Sequence, residues 1–432
     1  MSTAGSEYRL DGIYKQRQDG FYMQRVKLPA GVISAGQARA VAAVSTRFGQ
    51  GTVHLTTRGS MEIHWLKEHD LPQVKRELAM SGLTSRGACG GAVRGITCGS
   101  QGAQGFPNLE SLARRLHRHF TGNPRFERLP KKFKIGIEAD VVGGRHLIQD
   151  VGLVLARLDD GRARYDLWIA GGLGREPQAA FLLTEDVAEE RIIPVIEAIV
   201  RVYAAHAPPP KRLKFLAKEF GETKLRQLIE AEASYREEIP IVRGLPEHFI
   251  TVAAGHQRLE LPVFAGTLTA EQLVVIADHA DHHADGVLMV TANQDVALLL
   301  SPDADVAAEL GALRQATGMD PVGPTPVILR VCPGNHECLM GLTATRDVAH
   351  GLLAQIGARG QKLSWALSGC PNSCTQPQLA DVGIISSTLV KGEDGERTPR
   401  FDLYRLGSAG LGTAVERSLT LDELSGKVRE IG

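Results

Sequence analysis

No run of apolar residues is long enough to cross a bilayer, although 43% of the 432 residues are hydrophobic and 23% charged, the mix of an ordinary globular protein. The opening Met1-Ser2-Thr3-Ala4-Gly5-Ser6-Glu7 lacks the basic segment and apolar stretch of a secretory signal, so a cytoplasmic location without membrane contact is expected. Neither sign of charge is in excess. Lys and Arg number 49 against 49 Asp and Glu, which leaves no global field for nucleic acid or an acidic membrane, and any basic site must be local. Six cysteines are too few for a disulfide scaffold. There is no G-x-G-x-x-G placed between strand and helix, no Walker loop and no cysteine-rich ferredoxin insert, so nothing points to a built-in nicotinamide or nucleotide site.

What the chain does have is length enough for two or three lobes, and an internal repeat. Leu28-Pro29-Ala30-Gly31, Ser34 to Gly49 and Val53-His54-Leu55-Thr56-Thr57 return as Leu261-Pro262, Thr269 onward and Val287-Leu288-Met289-Val290-Thr291. Ser34 with Gln37 and Thr269 with Gln272 both fit S/T-x-x-Q, in which the cap and third residue satisfy each other's free backbone amides, and Gly49 suits the end of the first helix. Met61, Ile63 and Trp65 alternate with Glu62 and His64, the period of a half-buried strand.

A second set recurs further on. Lys132-Phe133-Lys134-Ile135 stands beside Lys362-Leu363-Ser364-Trp365, Asp150-Val151-Gly152 beside Asp381-Val382-Gly383, and Tyr165-Asp166-Leu167-Trp168 beside Phe401-Asp402-Leu403-Tyr404, each set closing on Gly-Leu-Gly, at 172–174 and 410–412. The offsets between copies are 233 at the prolines, 231 at Asp150 and 236 at Asp166, a drift that loop insertions explain. Between the halves, Ala207-Pro208-Pro209-Pro210 breaks any helix and 211–236 reads as a charged helical connector.

Four cysteines fall in two tight loops, Cys332-x5-Cys338 and Cys370-x3-Cys374, enough for an Fe-S cluster or a structural zinc. Zinc knuckles usually hold two residues between ligands, so five and three favour a cluster. The stretch aligned with Cys370, Lys132 to Asp140, has no cysteine pair: one half carries metal and the other keeps the scaffold. Cys89 and Cys98 read as buried small apolar residues. His336, between two of the cysteines, is either a hydrogen-bonding partner of the metal group or a surface histidine.

These cysteine spacings and the duplication resemble the sirohaem-dependent sulfite and nitrite reductase family, over about Asp19 to Gly412. The resemblance implies an α+β fold with internally duplicated ferredoxin-like and sirohaem/Fe-S half-domains around a pseudo-twofold axis. The expected bounds are 1–80 and 246–325 for the ferredoxin-like halves, 81–205 for substrate and sirohaem binding, 206–245 for the connector and 326–432 for cluster and sirohaem binding. It implies sirohaem and a 4Fe-4S cluster, the latter on Cys332, Cys338, Cys370 and Cys374, with Cys374 bridging to the sirohaem iron and Asn372 beside it.

By the same resemblance Arg25, Arg94, Lys132 and Lys134 bind the anion, the two lysines alternating on a probable strand. A lone K-x-K is more often a solvated face, and it is the other matches that reverse this reading. His54, Thr56, Arg58 and His64 are placed at the sirohaem carboxylates, which arginine pairs with bidentately. The chain departs from the family at His54, where arginine is frequent, at Glu62, where glutamine is, and at Gly95, where asparagine is. The implied reaction is six-electron reduction of sulfite to sulfide, Lys134 standing where nitrite-using relatives commonly have asparagine. Ammonia-forming nitrite reduction, a precorrin-3B synthase-like monooxygenase and a non-catalytic cofactor-carrying subunit are the alternatives. Electrons are expected from outside the chain, from ferredoxin or a flavoprotein subunit.

Overall fold

The computed structural model describes residues 3–99, 105–159, 161–240, 256–319, 327–392, 395–407 and 410–432. The chain begins with α1 (Thr3–Leu10), β1 (Ile13–Lys15), β2 (Phe21–Val26) and β3 (Val32–Ser34). Ser34 then opens α2 (Ala35–Phe48) with the expected capping box, each residue of the Ser34–Gln37 pair accepting the other's amide at 3.2 Å, and Gly49 closes it. β4 (Thr52–Leu55), β5 (Met61–Lys67) and α3 (Leu71–Met80) complete the first unit. Next come β6 (Thr97–Cys98), α4 (Phe106–Phe120), β7 (Ile135–Glu138), β8 (Val151–Asp159), β9 (Arg162–Ile169), β10 (Phe181–Ala188), α5 (Glu189–His206), α6 (Leu213–Phe220) and α7 (Glu222–Ala231).

The plan then repeats as β11 (Gln257–Leu261), β12 (Thr267–Thr269), α8 (Ala270–His283), β13 (Val287–Val290), β14 (Val296–Leu300) and α9 (Val306–Thr317). The Thr269–Gln272 box caps α8 as Ser34–Gln37 caps α2. The chain ends with β15 (Leu329–Val331), α10 (Thr345–Leu353), β16 (Trp365–Ser368), β17 (Val382–Lys391), β18 (Arg397–Arg405), β19 (Thr413–Leu419) and α11 (Leu421–Ile431).

The two ferredoxin-like halves trade a strand. One sheet has the order β1-β2-β5-β4-β12 and the other β11-β14-β13-β3, so β12 completes the first-half sheet and β3 the second. The two halves share a single core, which takes Val41, Leu55 and Ile63 together with Leu268, Ile276 and Leu298. The remaining sheets, β6-β7-β8-β9-β10 and β15-β16-β17-β18-β19, share one order, with three parallel strands at one edge of each. Residues 206–240 are not a free span: Leu213, Leu216, Leu225 and Ile229 are buried in the core that holds Phe133 and Tyr203, while 241–245 lie outside the described residues.

The repeat is closer than the sequence alignment has it. Ala30 and Ala265 both take a left-handed backbone, φ 55° and 53°, and Thr56 and Thr291 each accept two backbone amides, of residues two and four places on. Both pairs are 235 residues apart, as are Ser34 and Thr269. The Leu-Pro match is therefore displaced by two residues and the Val53 match by one; short apolar runs slide against each other where no turn pins them. At the Asp pairs the alignment holds: Asp150 Oδ2 and Asp381 Oδ2 accept the Lys134 and Ser364 amides, each at 2.8 Å. The half-buried reading of β5 fails. Glu62 and His64 are 4% and 8% exposed, and a left-handed residue at Trp65 turns Leu66 into the core instead.

Because each ferredoxin-like sheet lacks a strand without the other half, fragments 1–240 and 256–432 made separately should leave the α2 and α8 amides open to hydrogen exchange, and mixing should protect both. Full protection of α2 in the first fragment alone would contradict the exchange.

Candidate active site

β15 and β16 are parallel neighbours, so the loops that leave them emerge at the same edge. That alone brings Cys332-x5-Cys338 to Cys370-x3-Cys374. Glycines let the loops touch: a Cβ on Gly369 would lie 3.0 Å from the Gly334 Cα, and the Gly369 amide donates to Cys332 Sγ at 3.1 Å. Burial, then the neighbouring Cys374, raises the Cys332 and Cys338 thiols, and the same two causes push Cys370 up to about 11. The four sulfurs thus share one neighbourhood. Yet among the described residues they form no triplet of donors within 4.8 Å of one another, wider than a single tetrahedral zinc with bonds of about 2.3 Å requires. Asn372 bonds toward Cys370. His336 lies 3.7 Å from Asp347.

The matching parallel pair of the other half, β6 and β7, presents its opposite edge. Lys132 and Lys134 immediately precede β7 and point away from Phe133, which is fully buried; Arg94 precedes β6. Burial, then Arg212, pushes Lys132 down to about 8, and Cys374 acts against that shift. Burial, then Arg58 and Lys132, lowers Lys134 as well, again opposed by Cys374. Arg58 is pushed down to about 9 by burial and by Arg94 and Arg212. The loop that carries Arg58 leans on the last cysteine: Thr57 Oγ1 donates to the Cys374 carbonyl at 2.8 Å, and Gln376 Nε2 donates to the Thr57 carbonyl at 3.3 Å.

Arg25 belongs to a different row. On β2, β5 and β4 the residues Arg25, Glu62 and His54 are direct cross-strand partners. Arg25 Nε donates to Glu62 Oε1 at 2.8 Å, and His64 Nε2 lies 3.3 Å from Glu62 Oε2. Burial raises the Glu62 carboxyl, but Arg25 and then His64 and His54 outweigh it and hold the acid well below its usual range. Burial pushes His54 down to about 4. Cys89, read as an apolar filler, contacts the Arg25 guanidinium at 3.6 Å. Cys98 lies in the core as expected.

Arg212 was missed by sequence reasoning, hidden in the stretch taken for a connector. It is 5% exposed and donates to Asp150 Oδ2 at 2.7 Å, the oxygen that also accepts the Lys134 amide. The signal available was the duplicated aspartate: Asp381 is satisfied by Ser364, whereas Lys134 stands at the matching place and leaves Asp150 room for a cation. Gln149, 3.0 Å from Arg58, was missed too.

Arg58, Arg94, Lys132, Lys134 and Arg212 therefore sit together with Asp150 as the carboxylate among them, and neither lysine ammonium has a hydrogen-bond partner among the described residues. Arg94 Nε is also buried without one. Desolvated cations without counter-charge are unfavourable, so the pocket fits a polyanionic guest, as a tetrapyrrole bearing eight carboxylates is. Thr56 uses its hydroxyl within its own turn, which aims the Arg58 backbone.

Residues 98–236 match the family model of the nitrite and sulphite reductase 4Fe-4S domain, and residues 14–81 and 255–316 that of the nitrite/sulfite reductase ferredoxin-like half domain. The first match falls on the copy without the cysteine pairs; β15–β19 form its twin. The chain is 27% identical to "Sulfite reductase [ferredoxin] 2" of Mycolicibacterium paratuberculosis, over 100% of this chain and 85% of that one. It is 29% identical to "Ferredoxin--nitrite reductase" of Synechococcus elongatus, over 100% and 90%. The NirA protein of Mycobacterium tuberculosis superposes with a TM-score of 0.83 at 25% identity, covering 99% of this chain and 87% of that one. Duplicated halves, four thiols in one neighbourhood and a cationic pocket agree with these matches: the chain belongs to the sirohaem-dependent sulfite and nitrite reductase family, and sirohaem and a 4Fe-4S cluster are its cofactors.

Proposed function

We propose that this oxidoreductase takes sulfite to sulfide with six electrons from ferredoxin, releasing the three oxygens as water. The donor follows the names of the relatives, which specify ferredoxin; no flavoprotein subunit is named among them. The observation that carries the substrate reading is the pair of unpartnered ammonium groups, Lys132 and Lys134, on one side of an extended segment facing Cys374. Cys332, Cys338, Cys370 and Cys374 would hold the cluster, and Arg58 with its loop the sirohaem, which together supply single electrons to the central atom of the substrate. Lys134 and Arg94 neutralise the oxyanion, and Arg212, paired with Asp150, steadies the lysine segment through the same carboxylate. Lys132 Nζ, at about 8, is acidic enough near neutral pH to give a proton to a departing oxygen and basic enough to be recharged from water.

Ammonia-forming nitrite reduction is the second reading, favoured by one feature: Glu62 cancels the charge of Arg25, and a cage with less positive charge suits a monoanion. Anaerobic turnover with reduced methyl viologen, measuring sulfide and ammonia, separates the two. A higher kcat/KM for sulfite supports the first reading, and a higher value for nitrite replaces it with the second.

Lys134→Asn should lower kcat/KM for sulfite by about 100-fold, the scale of losing one preorganised charge contact, and for nitrite by much less. Equal losses would remove the specificity argument. Cys374→Ser should abolish turnover, because a neutral hydroxyl is a poor iron ligand; undiminished turnover would contradict its place beside the cofactors. Arg212→Met should destabilise the fold by about 3–5 kcal/mol by leaving Asp150 buried without its cation, and Asp150→Asn combined with it should recover part of that loss in thermal melting.

A further inference from the structure

We infer that His279, His283 and Glu309 form a second metal site, for a divalent cation of the zinc class, on the face of the second ferredoxin-like half. His279 and His283 are one turn apart on α8, and Glu309 reaches them from α9. Glu309 Oε2 is 3.3 Å from His279 Nε2, and Glu309 Oε1 is 3.5 Å from His283 Nδ1. All three donors lie within 4.8 Å of one another. A tetrahedral ion with ligand bonds of about 2.0–2.2 Å holds its donors about 3.3–3.6 Å apart, and both nitrogen-to-carboxylate separations fall at that spacing, each to a different oxygen of Glu309.

An ordinary ion pair accounts for the cluster less well. His279 Nε2 is buried and makes no hydrogen bond despite its nearness to the carboxylate, so nitrogen and oxygen are side by side rather than pointed at each other. The two imidazoles are stacked at 4.4 Å with planes 25° apart, and Glu309 reaches one nitrogen of each. The neighbouring acids of α8, Asp278 and Asp281, are engaged by Arg39 of α2 and do not compete.

The repeat supplies an independent observation. At the offset of 235 residues, His279, His283 and Glu309 correspond to Val44, Phe48 and Val74, and in the first half these make the apolar contact between α2 and α3. The second half has put three ligand-type side chains where its twin has three hydrophobic ones, at the same helix junction. Two imidazoles and a carboxylate suit zinc among the available divalent ions, with solvent at the fourth position on the side of the half-exposed His283. The ion would fasten α9 to α8.

Holoenzyme carrying no polyhistidine tag, stripped with a chelator and desalted, should take up one equivalent of Zn2+ in equilibrium dialysis, with iron content and sirohaem absorbance unchanged. Its melting temperature should rise with free Zn2+, since the ion binds only the folded state. His279→Gln, His283→Gln and the conservative Glu309→Gln should each remove both the equivalent and the shift while keeping the sirohaem spectrum; His282→Gln, on the same turn, should keep both. No saturable zinc in the wild type, or zinc retained by a His279→Gln/His283→Gln double variant with intact cofactors, would overturn the site and leave an ion pair only.

Discussion

The trade of β3 and β12 decides where everything else can be. Each ferredoxin-like sheet is completed by the other half, so the halves cannot rotate apart without exposing an unpaired sheet edge on both sides at once. The two parallel edge pairs are carried along by that lock. One offers the ends of its strands, where the cysteine loops leave, and the other the starts of its strands, where the lysines and Arg94 enter. A duplicated scaffold thereby makes an unsymmetrical pocket: the soft, electron-rich ligands come from one copy and the hard positive charge from the other.

Charge is handled in two ways within that pocket. Arg212 and Arg25 are each given a carboxylate, Asp150 and Glu62, so their positions are set by the protein itself. Lys132, Lys134, Arg58 and Arg94 have none, and desolvation acts on the first three to the extent that their proton affinity falls. Such groups are held in place by uncharged neighbours rather than by counter-charge: Phe133 anchors the lysine segment in the core, and the Gly95 carbonyl and Gln149 Oε1 accept from the Arg58 guanidinium. The pocket is poised for anions, and its electrostatic cost is relieved by binding them.

Much of this could be read from the sequence because the decisive features were local. Both capping boxes, each cysteine loop and the alternation of Lys132 and Lys134 span only a few residues, and the paired aspartates come to light through the repeat. The unread features depend on strand register. Arg25 meets Glu62, and Glu62 meets His54, only after β2, β5 and β4 are paired, and a shift of one residue would have turned all three to the other face. The strand exchange is equally silent, since it rests on pairings between residues from opposite halves of the chain. Arg212 escaped because three prolines and a run of charge look like a linker, whereas the apolar stripe of Leu213, Leu216 and Ala217 packs it down against Asp150.

Thr56 and Thr291 perform one backbone task in two places, one beside the cationic pocket and the other in the opposite half. The molecule thus contains its own reference experiment. Whatever a substitution at Thr291 does to folding is what the same substitution at Thr56 would do if the turn were all that mattered, and the difference between the two is the part that belongs to chemistry.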